Sequence, residues 1–212
     1  LGVDQPVPET EEHVRSREHR VLVGGHHELV GVAPAHDIGN LGGSDRRLDG
    51  RRPDTRPSAP VSRLPPSASV AHPAGEGAKL HAPSAERNAP AIVALIRDIA
   101  PSQGRGLEIA SGTGQHIVAL AGAIPQMDWH PSDIAPDRIA SIAAHVADAG
   151  LPNLHAPLTL DACATGWAQQ TGTFDMVYMV NLLHLIPQDA AHRVLEEAVN
   201  ALTPGGTLMV YG

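Results

Sequence analysis

Two periods of apolar residues take turns along the chain from about Lys79 onward. In "APSAERNAPAIVALIRDIAP", Ile92, Val93, Leu95, Ile96 and Ile99 recur at the spacing of one helix face. Ser84 or Asn88 suits its cap, Pro90 suits its first turn, and Pro101 closes it. "GLEIASG" then reads as a short buried strand, "GQHIVALAGAIP" as a helix ending at Pro125, and "MDWHPSDI" as a second strand. "APDRIASIAAHVADAG" is a helix with Ile139, Ile142, Ala143 and Val146 on one face and Gly150 as its C-cap. "LHAPLTLDA" is a third strand. "FDMVYMVNLLHLI" holds a fourth, apolar from Met176 to Val180 as a strand covered on both faces should be. "QDAAHRVLEEAVNALTPGG" is a helix with Asp189 in its first turn and Gly205-Gly206 in the turn beyond, and "TLMVYG" is a fifth strand. Strands alternating with helices predict an α/β fold, a doubly wound and mostly parallel sheet with right-handed crossovers.

The first third lacks this rhythm. Only "HRVLVGG" and "HELVGVA" read as short strands there, and from Gly42 to Ser69 the text is dominated by Arg, Asp, Pro, Gly and Ser. Such a stretch buries too little apolar surface to offset backbone ordering, roughly 1–2 kcal/mol per residue. The division is therefore residues 1–72, a low-complexity extension expected to be disordered, weakly paired or foreign to the native reading frame, and residues 77–212, the domain. Its histidines do not form a metal pattern: His26 and His27 are adjacent, point to opposite faces of a strand, and have no cysteine pair beside them. No metal is expected.

Charge and cysteine narrow the function classes. The formal charge of −8 argues against a general nucleic-acid binder, whose footprint is basic. No run of eighteen apolar residues occurs, so no membrane span is expected. No basic segment leads into an apolar run near Leu1, so no signal peptide is expected. Cys163 is the single cysteine, which rules out an internal disulfide and fits a reducing, cytoplasmic setting.

The chemistry concentrates in "LEIASGTGQH", Leu107 to His116. Ligands of a doubly wound sheet lie across the carboxyl ends of its strands, and glycines after the first strand let backbone approach them without a Cβ between. The dinucleotide pattern needs a third glycine where this chain has Ile117, and the phosphate-loop lysine is missing. Glu108, just before the loop, would repel phosphate and suits a cationic ligand. Asp133 follows the second strand at the place where a ribose diol is usually gripped. Asp161 ends the third strand, where an adenine amino group can be met. Together these describe a pocket for a positively charged nucleoside without phosphate, such as S-adenosylmethionine.

On these residues the chain resembles the class I S-adenosylmethionine-dependent methyltransferases. "EIASGTGQH", "WHPSD", the acid of "LTLDA", "NLLHLIP", "LTPGGTLMVYG" and "SAERNAPAI" are similar in detail to the methyltransferase-like 26 type, uncharacterised domain family 938, over about residues 77–212. The resemblance implies a Rossmann-like methyltransferase that transfers a methyl group from S-adenosylmethionine to an acceptor it does not specify. It assigns Glu108, Ala110, Gly112 and Gly114 to the donor's methionine and ribose cradle, Asp133 to the ribose, and Asp161 with Ala162 to the adenine. Asn181 would lie beside the sulfonium, His184 would serve as acceptor-side base, and Arg87 and Asn88 would come from a helix lid. Ala110 departs from the pattern, which has a glycine there. A methyltransferase-like module that binds the nucleoside without catalysis is the alternative; a nicotinamide site is opposed by Ile117. Relatives continue past the fifth strand with a helix and two more strands. The resemblance thus implies an incomplete domain whose fifth strand is a bare edge, open to self-association.

Overall fold

The computed structural model describes residues 20–25, 28–34, 71–75 and 77–212. The Gly42–Ser69 stretch and the pair His26-His27 lie outside the described residues. The elements are β1 (Arg20–Gly25), β2 (Glu28–Pro34), β3 (His72–Pro73), β4 (Leu80–His81), α1 (Pro83–Ile99), β5 (Gly104–Ile109), α2 (Gln115–Ala123), β6 (Met127–Asp133), α3 (Pro136–Ala149), β7 (Leu158–Thr159), α4 (Trp167–Thr171), β8 (Phe174–Val180), α5 (Gln188–Asn200) and β9 (Leu202–Tyr211). A seven-stranded sheet runs β2-β1-β9-β8-β5-β6-β7. Only the β1–β2 pair is antiparallel; β1–β9, β9–β8, β8–β5, β5–β6 and β6–β7 are parallel. From β5 the chain winds outward through β6 and β7, then returns to β8 and β9 on the other side. The strand order therefore reverses between β5 and β8, where a doubly wound sheet opens its crevice.

Alternation along the strands builds two cores. Leu107, Ile109, Val177, Met179, Leu208 and Val210 face α4 and α5, packing on Trp167, Val194 and Ala198. Met127, Trp129, Met176, Tyr178 and Met209 face the other way, onto Ile92 and Ile96 of α1 and Ile117 and Leu120 of α2. Both faces are covered, which explains the unbroken apolar run of β8. Glu108 alternates with Leu107 and Ile109 and so joins the second face, opposite its parallel partner Tyr178.

Several elements differ from the sequence expectation. α1 starts at Pro83, so neither Ser84 nor Asn88 caps it and Pro90 sits inside the helix. Its first turn is anchored from outside instead: the Ala82 N–H donates to Gln115 Oε1 at 2.7 Å. The third strand is cut to Leu158–Thr159. α4 has no apolar period in its five residues; Glu197 of α5 holds its start, with Oε1 accepting from Gly166 N–H at 2.8 Å and Oε2 from Ala168 N–H at 3.0 Å. The two short segments that read as strands in the first third are β1 and β2. β9 is accordingly not a bare edge: β1 runs parallel along it, Val21 opposite Leu208 and Leu22 opposite Met209, with both β1 side chains buried. The edge to which the sequence assigns self-association is paired within the chain.

Candidate active site

A cleft of about 380 Å³ opens over the carboxyl ends of β5, β6 and β8. Its floor is the turn that follows β5. Ser111 locks that turn to β6: its N–H donates to the Ser132 carbonyl at 2.7 Å, and its hydroxyl accepts from Ser132 N–H at 3.1 Å. Gly112 has φ +60, and a Cβ there would meet no atom within 4 Å, because it would stand in the cleft. Gly114, with φ +91, serves another purpose. A Cβ there would come within 3.1 Å of the Ile142 backbone, so this glycine lets α2 start against α3 and does not line the cleft. Ala110 takes φ 55, the left-handed conformation an alanine adopts only at a cost. A glycine would occupy it without strain.

The acids divide. Asp133 lines the cleft, and its carboxylate already organises the loop. Oδ2 accepts from Gly112 N–H at 3.0 Å and Oδ1 from Ala135 N–H at 3.0 Å, leaving each oxygen one further lone pair. Glu108 is 1% exposed, and its Oε2 has no hydrogen-bond partner. Burial lifts its pKa to about 8; the Ser111 and Tyr178 hydroxyls pull it part of the way back, and the charge of Asp133 adds to the rise. Asp161 does not reach the cleft. With β7 ended at Thr159, the chain turns first, and Asp161 Oδ1 accepts from Cys163 N–H at 2.9 Å; Ala162 packs on the α4–α5 core.

Asn181 follows β8 with φ 56 and lines the cleft, its N–H donating to the Tyr211 carbonyl at 2.7 Å. His184 stands exposed at the rim, in a 3-10 turn over Leu183–Leu185. Among the described residues no carboxylate hydrogen-bonds its ring. Arg87 and Asn88 are off the cleft. Because α1 begins earlier than its sequence suggests, Ala82, Ser84 and Ala85 form that wall.

Sequence reasoning missed His116 and Arg138, both in the lining. His116 is 9% exposed, its Nδ1 lies 4.0 Å from Glu108 Oε1, and its Nε2 has no partner. The signal was its place in the second position of α2, directly beyond the loop that Glu108 precedes. Among the described residues no group of three His, Cys, Asp or Glu side chains is arranged to hold a metal ion, and no helix is long and apolar enough to cross a membrane.

Compared with known families, residues 79–212 match the one described as "Protein of unknown function (DUF938)". The chain belongs to the DUF938 family. Solved structures similar to this DUF938 chain include the S-adenosylmethionine-dependent methyltransferase SibL in its apo form. There the TM-score is 0.52 and the identity 22%, over 60% of this chain and 36% of that one. An O-methyltransferase family protein from Burkholderia thailandensis gives 0.51 and 17%, over 60% and 38%. The glycopeptide N-methyltransferase MtfA gives 0.50 and 14%, over 57% and 52%. Identities this low establish the fold, and the DUF938 chain has the Rossmann-like fold of these methyltransferases. It spans between about a third and a half of the length of those neighbours.

Proposed function

We propose that this chain is an S-adenosylmethionine-dependent methyltransferase that holds its donor in the cleft over β5, β6 and β8. The observation that carries the reading is the Glu108 carboxylate: buried, without a partner at Oε2, and set at the floor of a cleft that the missing Cβ of Gly112 keeps open. Buried here, the carboxyl keeps its proton well above the ordinary range, and it ionises readily only when an opposite charge arrives. A cationic ligand supplies it; a phosphate would not. The residues present therefore fit a nucleoside with an ammonium group. Asp133 retains a free lone pair on each oxygen, enough to accept from two neighbouring hydroxyls. The similar solved structures named as methyltransferases support the same reading through their fold, and the motifs "WHPSD" and "NLLHLIP" support the methyltransferase-like 26 type within it.

When bound, the donor supplies a methyl group on a good leaving group. The chain's own part is to align and to exclude water. Glu108, Gly112 and Asp133 fix the donor side. Asn181, held in a left-handed conformation at the end of β8, and His184 at the rim face the acceptor. For a hydroxyl or protonated-amine acceptor, His184 takes the proton. The acceptor is left open by this reading, since one fold hosts many.

The test is calorimetric titration of the chain with S-adenosylmethionine and with its demethylated product, S-adenosylhomocysteine. Saturable one-to-one binding of both is expected, and absence of binding rejects the donor site. Transfer of labelled methyl from the donor to a component of cell extract then separates an enzyme from a module that only binds.

A further inference from the structure

One wall of the cleft comes from a segment outside the sheet. Ala82, Ser84 and Ala85 line it, where the chain passes from β4 into α1. Farther along α1, Ile92 and Ile96 are wholly buried against α2 and fix that end of the helix. Pro90 stands between the two parts. It has no N–H to offer the Glu86 carbonyl, so the front of the helix is joined to the rest by one hydrogen bond fewer. The position of this front therefore depends on what holds it from the side.

Residues 79–82 are held by α3 and α2. Leu80 N–H donates to Ser141 Oγ at 2.8 Å, the Leu80 carbonyl accepts from His145 Nε2 at 2.9 Å, and Lys79 pairs with Asp148. Ala82 N–H donates to Gln115 Oε1 at 2.7 Å. Two of these partners also grip the turn after β5. Ser141 Oγ donates to the Thr113 carbonyl at 2.9 Å, and Gln115 Oε1 accepts from Thr113 Oγ1 at 2.8 Å. Both paths meet at Thr113, which is buried and flanked by Gly112 and Gly114, each at positive φ. A shift of the turn is thus passed to the wall through a single side chain on either path. Gln115 itself stays out of the cleft lining.

We propose that Gln115 is a positioning residue: it fastens the front of α1 to the turn after β5, so that a donor seated on that turn draws residues 79–85 shut over the cleft. This rests on the donor reading above and adds a moving wall to it. A ligand that fixes Gly112 fixes Thr113 beside it, then Gln115 Oε1 and the Ser141 hydroxyl, and through them the N–H groups of Ala82 and Leu80. The Gln115 link is one acceptor oxygen shared by two donors. Leucine cannot replace it; a glutamate oxygen can.

The experiment is amide exchange on the full chain with and without saturating S-adenosylhomocysteine, whose binding is first measured by calorimetry. In wild type the nucleoside is expected to slow exchange at Leu80 and Ala82 by about tenfold. Ala168 at the start of α4, on the opposite face of the sheet, is the reference and should be unchanged. Gln115→Leu should still bind but lose the slowing at Ala82, while Leu80 keeps it through Ser141. Gln115→Glu should restore it. If the nucleoside binds wild type yet leaves Leu80 and Ala82 as they were, or slows Ala168 equally, the wall does not answer to the turn and the inference falls while the donor reading stands. It falls too if Ala82 slows in Gln115→Leu as in wild type, if Leu80 loses its slowing along with Ala82, or if Gln115→Glu fails to rescue. Absence of binding to wild type rejects the donor reading and the inference with it. Should Gln115→Leu not fold, Thr113→Val takes its place: it deletes the hydroxyl that Gln115 accepts from, keeps the carbonyl that Ser141 uses, and carries the same expected outcomes at Ala82 and Leu80.

Discussion

Glu108 combines two demands that oppose each other. A strand residue at the centre of a sheet is buried by its neighbours, yet its carboxyl must meet a ligand. The result is a pKa near 8 against an ordinary 4.5, set first by burial. Below about pH 4.5 both the folded and the unfolded chain hold the proton, and nothing distinguishes them. Between about 4.5 and 8 the unfolded chain releases it and the folded one does not, so stability falls as pH rises and levels off above 8. Glu108→Gln has no such proton. Its melting temperature, relative to wild type, should climb from pH 4.5 to 8 in the ligand-free protein; a constant offset across that range would contradict the buried-acid account. At Gly112 the conformation and the space agree. Gly112→Val forces a branched residue to φ +60, at about 1–2 kcal/mol, and fills the cleft. Donor affinity should drop more than tenfold in calorimetry while the fold survives. Ala110 is the reverse case, an alanine where φ is 55. Ala110→Gly removes strain of about 1–2 kcal/mol but adds roughly 0.5–1 kcal/mol of unfolded-chain entropy. Urea unfolding should therefore show a change between zero and about 1.5 kcal/mol, in the stabilising direction.

At the scale of elements, what could be read from the chain was whatever a local period specifies. α2, α3, α5, β5, β6 and β8 each carry their own apolar stripe, and Gly150 stops α3 with φ 57 as its place after the stripe foretells. What could not be read depends on distant partners. The start of α1 is fixed by Gln115, and α4 by Glu197, which lies in another helix. Neither signal is within the window where a period is sought. The same division runs through the site. Glu108, Gly112, Asp133, Asn181 and His184 gather in one cleft because each sits at or just beyond the end of a parallel strand, a position the strand pattern specifies. Arg87 and Asn88 missed it through the helix start, and Asp161 through the short β7. The role of Glu197 is testable. Replacing it by Ala leaves two backbone N–H groups of the α4 start without their charged acceptor, worth about 1.5–3 kcal/mol in all. Urea unfolding should fall by that amount. Amide exchange at Gly166 and Ala168 should quicken while α2 and α3 stay protected.

Over the whole molecule, the sheet reaches beyond the residues that match DUF938. β1 lies outside residues 79–212, yet Val21 and Leu22 are buried, one in each of the two cores. Leu22→Asp sets an unpaired carboxylate against Met209 and the α1–α2 face, a change of the kind that costs about 3–5 kcal/mol. Thermal unfolding should move down by many degrees. If the melting temperature stays put, β1 contributes nothing to the stability of the domain.

The β1–β9 pair also dictates an order of events. β1 leaves the ribosome before every other described strand, and β9 after them all. In between, α1 through α5 and the central strands can collect around β5, while β1 has no neighbour but β2 and holds Val21 and Leu22 open to water. Closure must span nearly the whole described sequence, and pairings of such high contact order form slowly. During synthesis the nascent chain thus carries a waiting ribbon, the kind of exposed strand that invites chaperones or a neighbouring copy before its proper seat exists.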